Sequence, residues 1–328
     1  MASPPPSLRP IDTGYLRPRF AACYLLADGG EAALVDAGHG RAAPRILAAL
    51  AEAGVAPEAV RYLVVTHVHL DHAGGAGALL KALPRATLVA HPRGAPHLVD
   101  PSRLLAGARA VYGAERLAAL HGTIEPAPAE RVRAAPEGTR LPLGRLELVV
   151  LDTPGHARHH LCLHVPALGV VLTGDSFGLS YPELRGPRGR LLFPSTSPVQ
   201  FDPEALVASV GRLGGLGARQ ACLTHYGCLE GPAALAPGLQ ALVREHARLA
   251  REVAARQPPG PERVAALEER LRGLLLAELR RLGCPLPDEE ALALMADDLR
   301  LNAEGLAVWL EREAKGKAEG EAKGEQGR

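Results

Sequence analysis

Net charge is nearly absent from this chain: 37 Lys and Arg face 36 Asp and Glu, a formal +1 over 328 residues. Without an overall field there is little to gather nucleic acid or anionic lipid, so neither is an expected partner. Long apolar runs are missing as well. No stretch approaches the ~18 residues of a membrane span, and MASPPPSLRP has no apolar core of the kind an export signal carries, so a cytoplasmic protein with no membrane partner is expected. Cysteine is sparse and unpatterned: Cys23, Cys162, Cys222, Cys228 and Cys284 are an odd number with no C-x-x-C pair. Neither a disulfide framework nor a zinc knuckle is indicated, and the five read as small buried apolar side chains. A single Asn (Asn302) and two Met complete the scarcities and carry no functional weight.

What is present suffices for a sizeable core. Hydrophobic residues make up 47% of the chain, and its length accommodates one large α/β domain with an appendage. Cys23–Leu26 and Ala32–Asp36 flank Asp28-Gly29-Gly30, which predicts a hairpin. Residues 41–52 have apolar residues at helical spacing, and 62–66 reads as a buried strand that ends at His67. Further on, the pattern predicts helices over 75–83 and 101–120, strands over 87–90, 146–152, 161–165 and 170–173, a helix over 203–216 and a strand over 221–224. Four segments rich in possible metal donors thus follow strand ends, where loops on a rigid sheet commonly carry chemistry. From residue 233 strand signals stop. Helices are expected over 233–256 and 262–282, two short ones near 288–299 and 302–312, and a disordered charged tail over 314–328.

The donor segments are His67-Val-His69-Leu-Asp71-His72, Thr153-Pro-Gly-His156, Thr173-Gly-Asp175-Ser and Leu223-Thr-His225-Tyr-Gly. Imidazole and carboxylate suit zinc, and also iron or manganese. Three histidines and an aspartate within six residues make poor core material, because each buried imidazole needs a partner and each charge a counter-charge.

His67-x-His69-x-Asp71-His72, followed by Ala73-Gly74-Gly75, resembles the signature of the metallo-β-lactamase-fold hydrolases, and the other three segments follow in that family's order. The resemblance covers roughly residues 10 to 230. It implies an αββα sandwich over 1–232, a helical C-terminal region over 233–313, and two divalent metal ions, zinc first and iron or manganese as alternatives. By the same resemblance, His67, His69 and His156 would hold one ion, Asp71, His72 and His225 the other, with Asp175 bridging. Asp36 would support the ligand loop from behind. Gly155-His-Ala-Arg-His-His160 is similar to an uncharacterised sub-group of the glyoxalase-II-like branch. The basic residues that bind glutathione in true glyoxalase II find no match in the helices after residue 232.

Two ions about 3.5–4 Å apart would hold a bridging hydroxide, polarise a carbonyl oxygen and stabilise a departing anion. Asp71 is the candidate catalytic residue, its second oxygen free to accept a proton. The expected activity is hydrolysis of a small-molecule ester, thioester or lactone. Competing readings are a mononuclear iron sulfur dioxygenase, a phosphodiesterase or nuclease, and a non-enzymatic metal-binding scaffold. A supporting role is open for His159 or His160, and a substrate contact for Tyr226. The Gly/Pro-rich stretch 177–201 is either a wall of the site or a plain surface crossing. The helical tail is a cap over the site, a homodimer surface or inert support.

Overall fold

The computed structural model describes residues 5–196 and 198–326, with side chains in the last helix as far as Lys315; the extremes of the N-terminal segment and of the charged tail (1–4, 327–328) lie outside it. One six-stranded sheet runs in chain order: β1 (Ser7–Asp12), β2 (Ala22–Asp28), β3 (Glu31–Val35), β4 (Val60–Val64), β5 (Thr87–Ala90) and β6 (Val132–Ala134). The first three strands form antiparallel hairpins, and pairing from β3 onward is parallel. Parallel pairing requires crossovers. These contain α1 (Ala43–Glu52), α2 (Leu70–Ala73), α3 (Ala76–Ala82), α4 (Ala95–Val99), α5 (Ser102–Tyr112) and α6 (Ala114–His121).

A second six-stranded sheet is built from β7 (Arg140–Leu143), β8 (Leu146–Asp152), β9 (Leu161–Val165) and β10 (Val170–Gly174). After the two-residue ribbon strands β11 (Arg185–Gly186) and β12 (Gly189–Arg190), it is completed by β13 (Gln220–Leu223) and β14 (Gly227–Glu230), in the order β14-β13-β10-β9-β8-β7. β10 and β13 are parallel and joined through α7 (Pro203–Gly214). The chain ends in α8 (Pro232–Ala254), α9 (Pro261–Leu282), α10 (Asp288–Leu294) and α11 (Ala296–Gln326).

Strand periodicity sets the layers, since successive side chains point to opposite faces. Along β2, Cys23 and Leu25 turn to the core shared with Ile46 and Leu50 of α1 and Leu79 of α3, whereas Ala22, Tyr24 and Leu26 turn inward against Leu148, Val150 and Leu163 of the other sheet. The outer face of the second sheet is covered by α7, α8, α9 and α11 through Leu206, Val243, Leu271 and Leu306. The result is the expected αββα sandwich, with the C-terminal helices continuous with one of its outer cores.

Several expectations are corrected. The predicted helix over 101–120 is two helices, α5 and α6, divided at Gly113, whose φ of 75° a helix cannot hold. The short helix expected near 302–312 is part of α11, whose backbone continues to Gln326 through the segment expected to be disordered. Ala, Lys and Glu propagate a helix well once packed turns have nucleated it. Cys222 and Cys228 form a disulfide, where no bridge was expected. Their six-residue separation concealed the β13–β14 hairpin, in which they face one another with Cα atoms 3.9 Å apart. Cys23 and Cys162 are buried free thiols, as expected.

In α8, His246 is fully buried, and its Nδ1–H donates to the Leu242 carbonyl at 2.7 Å. Burial lowers its pKa from 6.5 to about 4. The folded state then binds this proton only near pH 4, the unfolded chain already near 6.5, so unfolding takes up a proton between the two. Stability present above pH 6.5 is lost as pH falls toward 4. His246→Leu is expected to lose about 2–3 kcal/mol less than the wild type between pH 7 and 4.5, measured by urea unfolding. Equal losses in the two proteins would show that His246 does not titrate in this way.

Candidate metal centre

All four donor segments leave strands at the same edge of the sandwich. His67, His69, Asp71 and His72 follow β4, His156 follows β8, Asp175 follows β10, and His225 lies in the turn between β13 and β14. Two glycines make the local paths possible. A Cβ at Gly155 (φ 133°) would lie 2.3 Å from the Leu206 backbone, and one at Gly174 (φ 49°) 2.6 Å from His160 Nε2. Each immediately precedes a donor, so a side chain at either place would displace it.

The structure brings all seven predicted donors together. His67 Nε2 lies 2.9 Å from His69 Nδ1 and 3.2 Å from His156 Nε2, and His69 Nδ1 lies 3.0 Å from His156 Nε2. Nitrogens bound at 2.0–2.1 Å around a tetrahedral ion stand about 3.3 Å apart, close to this spacing. The neighbouring set is His72, His225 and Asp71. Its two Nε2 atoms are 3.3 Å apart, and Asp71 Oδ2 is 3.3 Å from His225 and 3.7 Å from His72. Asp175 stands between the sets. Its Oδ1 is 3.3 Å from His72 Nε2, its Oδ2 3.6 Å from His156 Nε2, and buried Oδ1 has no hydrogen-bond partner among the described residues.

In four of the five donor histidines the other ring nitrogen has a partner. Nδ1–H of His72 donates to Asp36 Oδ2 at 2.8 Å, that of His225 to the Phe20 carbonyl at 2.9 Å, that of His156 to the Ser195 carbonyl at 3.3 Å, and that of His67 to Thr66 Oγ1 at 3.2 Å. Such outer bonds fix the tautomer and leave the inward nitrogen a lone pair for a cation. Burial, reinforced by the other imidazoles, holds His67 and His69 well below the ordinary histidine pKa, in the neutral form that binds metal. His72 shows the opposite balance. Burial lowers its basicity, yet Asp175, Asp71 and Asp36 raise its pKa to about 10, a measure of the negative potential gathered here. The donor set fits two divalent cations on both geometry and charge.

Asp36 has the supporting place expected of it. At φ 62°, a conformation Asp tolerates better than most residues, it follows β3 and accepts from Thr66 N–H at 2.8 Å, Thr66 Oγ1 at 2.9 Å, Thr224 Oγ1 at 2.7 Å and His72 Nδ1. Thr66 and Thr224 directly precede His67 and His225. One carboxylate therefore ties donor loops from both sheets. His160, of the pair singled out in the sequence, lies beneath Asp175: its Nε2 accepts the Asp175 N–H at 3.1 Å and its Nδ1–H faces Thr153 Oγ1 at 2.9 Å.

Above the donors is a cavity of about 290 Å³, whose wall includes His69, Asp71, Asp175, His159 and His225. Tyr15 and His121 line it as a stacked pair, with the Tyr15 hydroxyl 3.3 Å from His121 Nε2. Nothing local in the sequence marks His121 as part of the site. From stretch 177–201, Leu179, Ser195 and residues 198–200 form part of the wall, whereas Arg188 donates to carbonyls at the end of α9 and Arg190 to Ser180 Oγ and the Tyr226 carbonyl. Tyr226 is absent from the wall and packs against the cores of both sheet faces. Residues 297, 298 and 300–302 at the start of α11 close one side, so the C-terminal helices reach the site.

Residues 16–225 match the family model described as the metallo-beta-lactamase superfamily. An uncharacterised protein of Mycobacterium leprae is 34% identical over 179 residues, 53% of this chain and 77% of that one. A hydroxyacylglutathione hydrolase of Fuscovulum blasticum is 30% identical over 238 residues, 71% and 74% of the two chains. Among solved structures, a metallo-beta-lactamase family protein of Thermus thermophilus aligns over 94% of both chains with a TM-score of 0.61 at 23% identity, a likeness of fold.

Proposed function

Since the chain belongs to the metallo-beta-lactamase superfamily and is a metallo-hydrolase, we propose that it hydrolyses a small-molecule ester, thioester or lactone at a dinuclear centre. The observation that carries this reading is the convergence of seven donors in two sets, shared through Asp175, at the base of one cavity. In the proposed assignment His67, His69 and His156 would hold one ion, Asp71, His72 and His225 would hold the other, and Asp175 would serve both. Two divalent cations there supply Lewis acidity toward a carbonyl oxygen and bring the pKa of water toward neutrality. The protein's own contribution is to orient. Asp36 and His160 set the donor loops, and the cavity wall positions the substrate carbonyl and excludes bulk water. Asp71 reaches the cavity wall and is the proposed acceptor of the proton released as water attacks. The relative named a hydroxyacylglutathione hydrolase supports a carbonyl substrate over a phosphodiester.

The test is metal content of protein purified without added metal, with turnover of acyl-thiol, lactone, aryl ester and phosphodiester substrates. About two zinc per chain and turnover of one of the carbonyl classes are expected. About one iron with oxygen consumption, or no metal and no turnover, overturns the reading. Asp71→Ala that keeps both metals and full turnover would remove Asp71 from the proton step alone.

A further inference from the structure

Resting on the hydrolase reading, we propose that the cavity above the donors is a binding site for the apolar chain of an acyl substrate, with α5 as its chain-selecting wall. The cavity begins at Asp71, Asp175 and His225, so a carbonyl seated at the donors has its substituent in this space. Leu104, Ala108 and Val111 of α5 all line it. Their spacing of four and then three residues places them on one helical face. No residue of α5 is fully buried: Leu104 packs in part against the core on the outer side of the first sheet, whereas Ala108 and Val111 belong to no core cluster and line the cavity.

The rim points the same way. A singly exposed apolar side chain is ordinary. Among the described residues, however, the large hydrophobic side chains left exposed are Leu16 at 43% and Val199 at 55%, and both belong to this cavity's wall although they come from loops 183 positions apart. Phe20, Val68 and Leu70 continue the lining toward the donors. The charges on the α11 side are partly engaged: Arg300 pairs with Glu304 at 2.6 Å and lies 3.7 Å from Asp297, Arg116 of α6 pairs with Asp297 at 2.7 Å, and Asp298 accepts from the Tyr181 hydroxyl at 3.2 Å while its Oδ2 has no hydrogen-bond partner among the described residues. A hydrocarbon chain satisfies the apolar part of this wall, the face of α5 together with Leu16, Val68 and Val199, and Arg103 stands beside it as a cation in the lining.

The experiment is a chain-length series of acyl thioesters, acetyl to decanoyl on one small thiol, run beside binding of acetate, hexanoate and decanoate to the metal-loaded protein by calorimetry. Each buried methylene is expected to raise kcat/KM about fourfold until the cavity is full, on the order of 10²-fold from acetyl to hexanoyl. Ala108→Phe, which projects a ring from the middle of the α5 face, is expected to lower the hexanoyl-to-acetyl ratio at least tenfold and to weaken decanoate binding. Gly238→Leu on the exposed side of α8 is expected to leave the ratio as in the wild type. A flat series with intact turnover, or a ratio unmoved by Ala108→Phe in a protein of unchanged melting temperature, overturns the proposal and leaves the hydrolase reading standing. If no substrate is turned over, that reading fails by itself. Carboxylate binding then decides the present one, and equal affinity for acetate and decanoate overturns it.

Discussion

Asp175→Ala is expected to lower kcat/KM by on the order of 10³-fold and bound metal from about two ions per chain to one or none. Asp175 has one oxygen toward His72 and the other toward His156, so among the described residues it is the carboxylate placed between the two donor sets. Losing a cation removes several kcal/mol of transition-state stabilisation, and each 1.36 kcal/mol is about tenfold in rate. His160→Ala tests the same element from beneath. All donors remain, but the Asp175 N–H loses its acceptor, and a loss of about 10- to 100-fold in metal affinity or activity is expected. Metal analysis with steady-state kinetics checks both. An Asp175→Ala protein that retains two ions and wild-type turnover would rule out the bridge.

Asp36→Ala is expected to cost about 3–5 kcal/mol of stability, measured by denaturant unfolding of the metal-loaded protein. The carboxylate accepts four hydrogen bonds from buried donors on three residues of two loops. Alanine would leave those buried donors unmatched. Its φ of 62° adds a further penalty for a residue with a plain Cβ. Asp36→Asn keeps the shape and the backbone tolerance but sets an amide N–H₂ against a donor. A smaller loss of stability is expected, with metal affinity lowered about 10- to 100-fold through the unseated His72. A loss below ~1 kcal/mol for the alanine variant would mean that the loops are held by other contacts.

How much of this could be read beforehand follows from the range of each interaction. β8 and β9 coincide with their predicted spans, 146–152 and 161–165, because buried apolar runs between turn signals are local patterns. β1, β6 and β14 were not foreseen. All three are edge strands too short or too polar to stand out as apolar runs; β6 pairs with β5 across three intervening helices, whereas β14 folds straight back on β13, and the Cys222–Cys228 bridge was missed along with it. The seven donors were legible because their chemistry is dense and out of place in a core. Tyr15, His121 and the α5 face were not: each is a common residue in an unremarkable local setting.

The chain by itself thus determined the layers, through period-two burial along the strands and helical spacing between them, and the donor segments, through concentrations of imidazole and carboxylate that only a cation or solvent could satisfy. Sheet register decided the rest. It alone brings Asp36 within hydrogen-bond distance of Thr66 and Thr224, 30 and 188 residues away, and sets Asp175 between donors from different strands. The apolar cavity likewise exists only where α5, α11 and two loops meet. Proximity among residues so far apart arises when the pairing of strands fixes every loop that leaves them, and local periodicity does not encode that pairing.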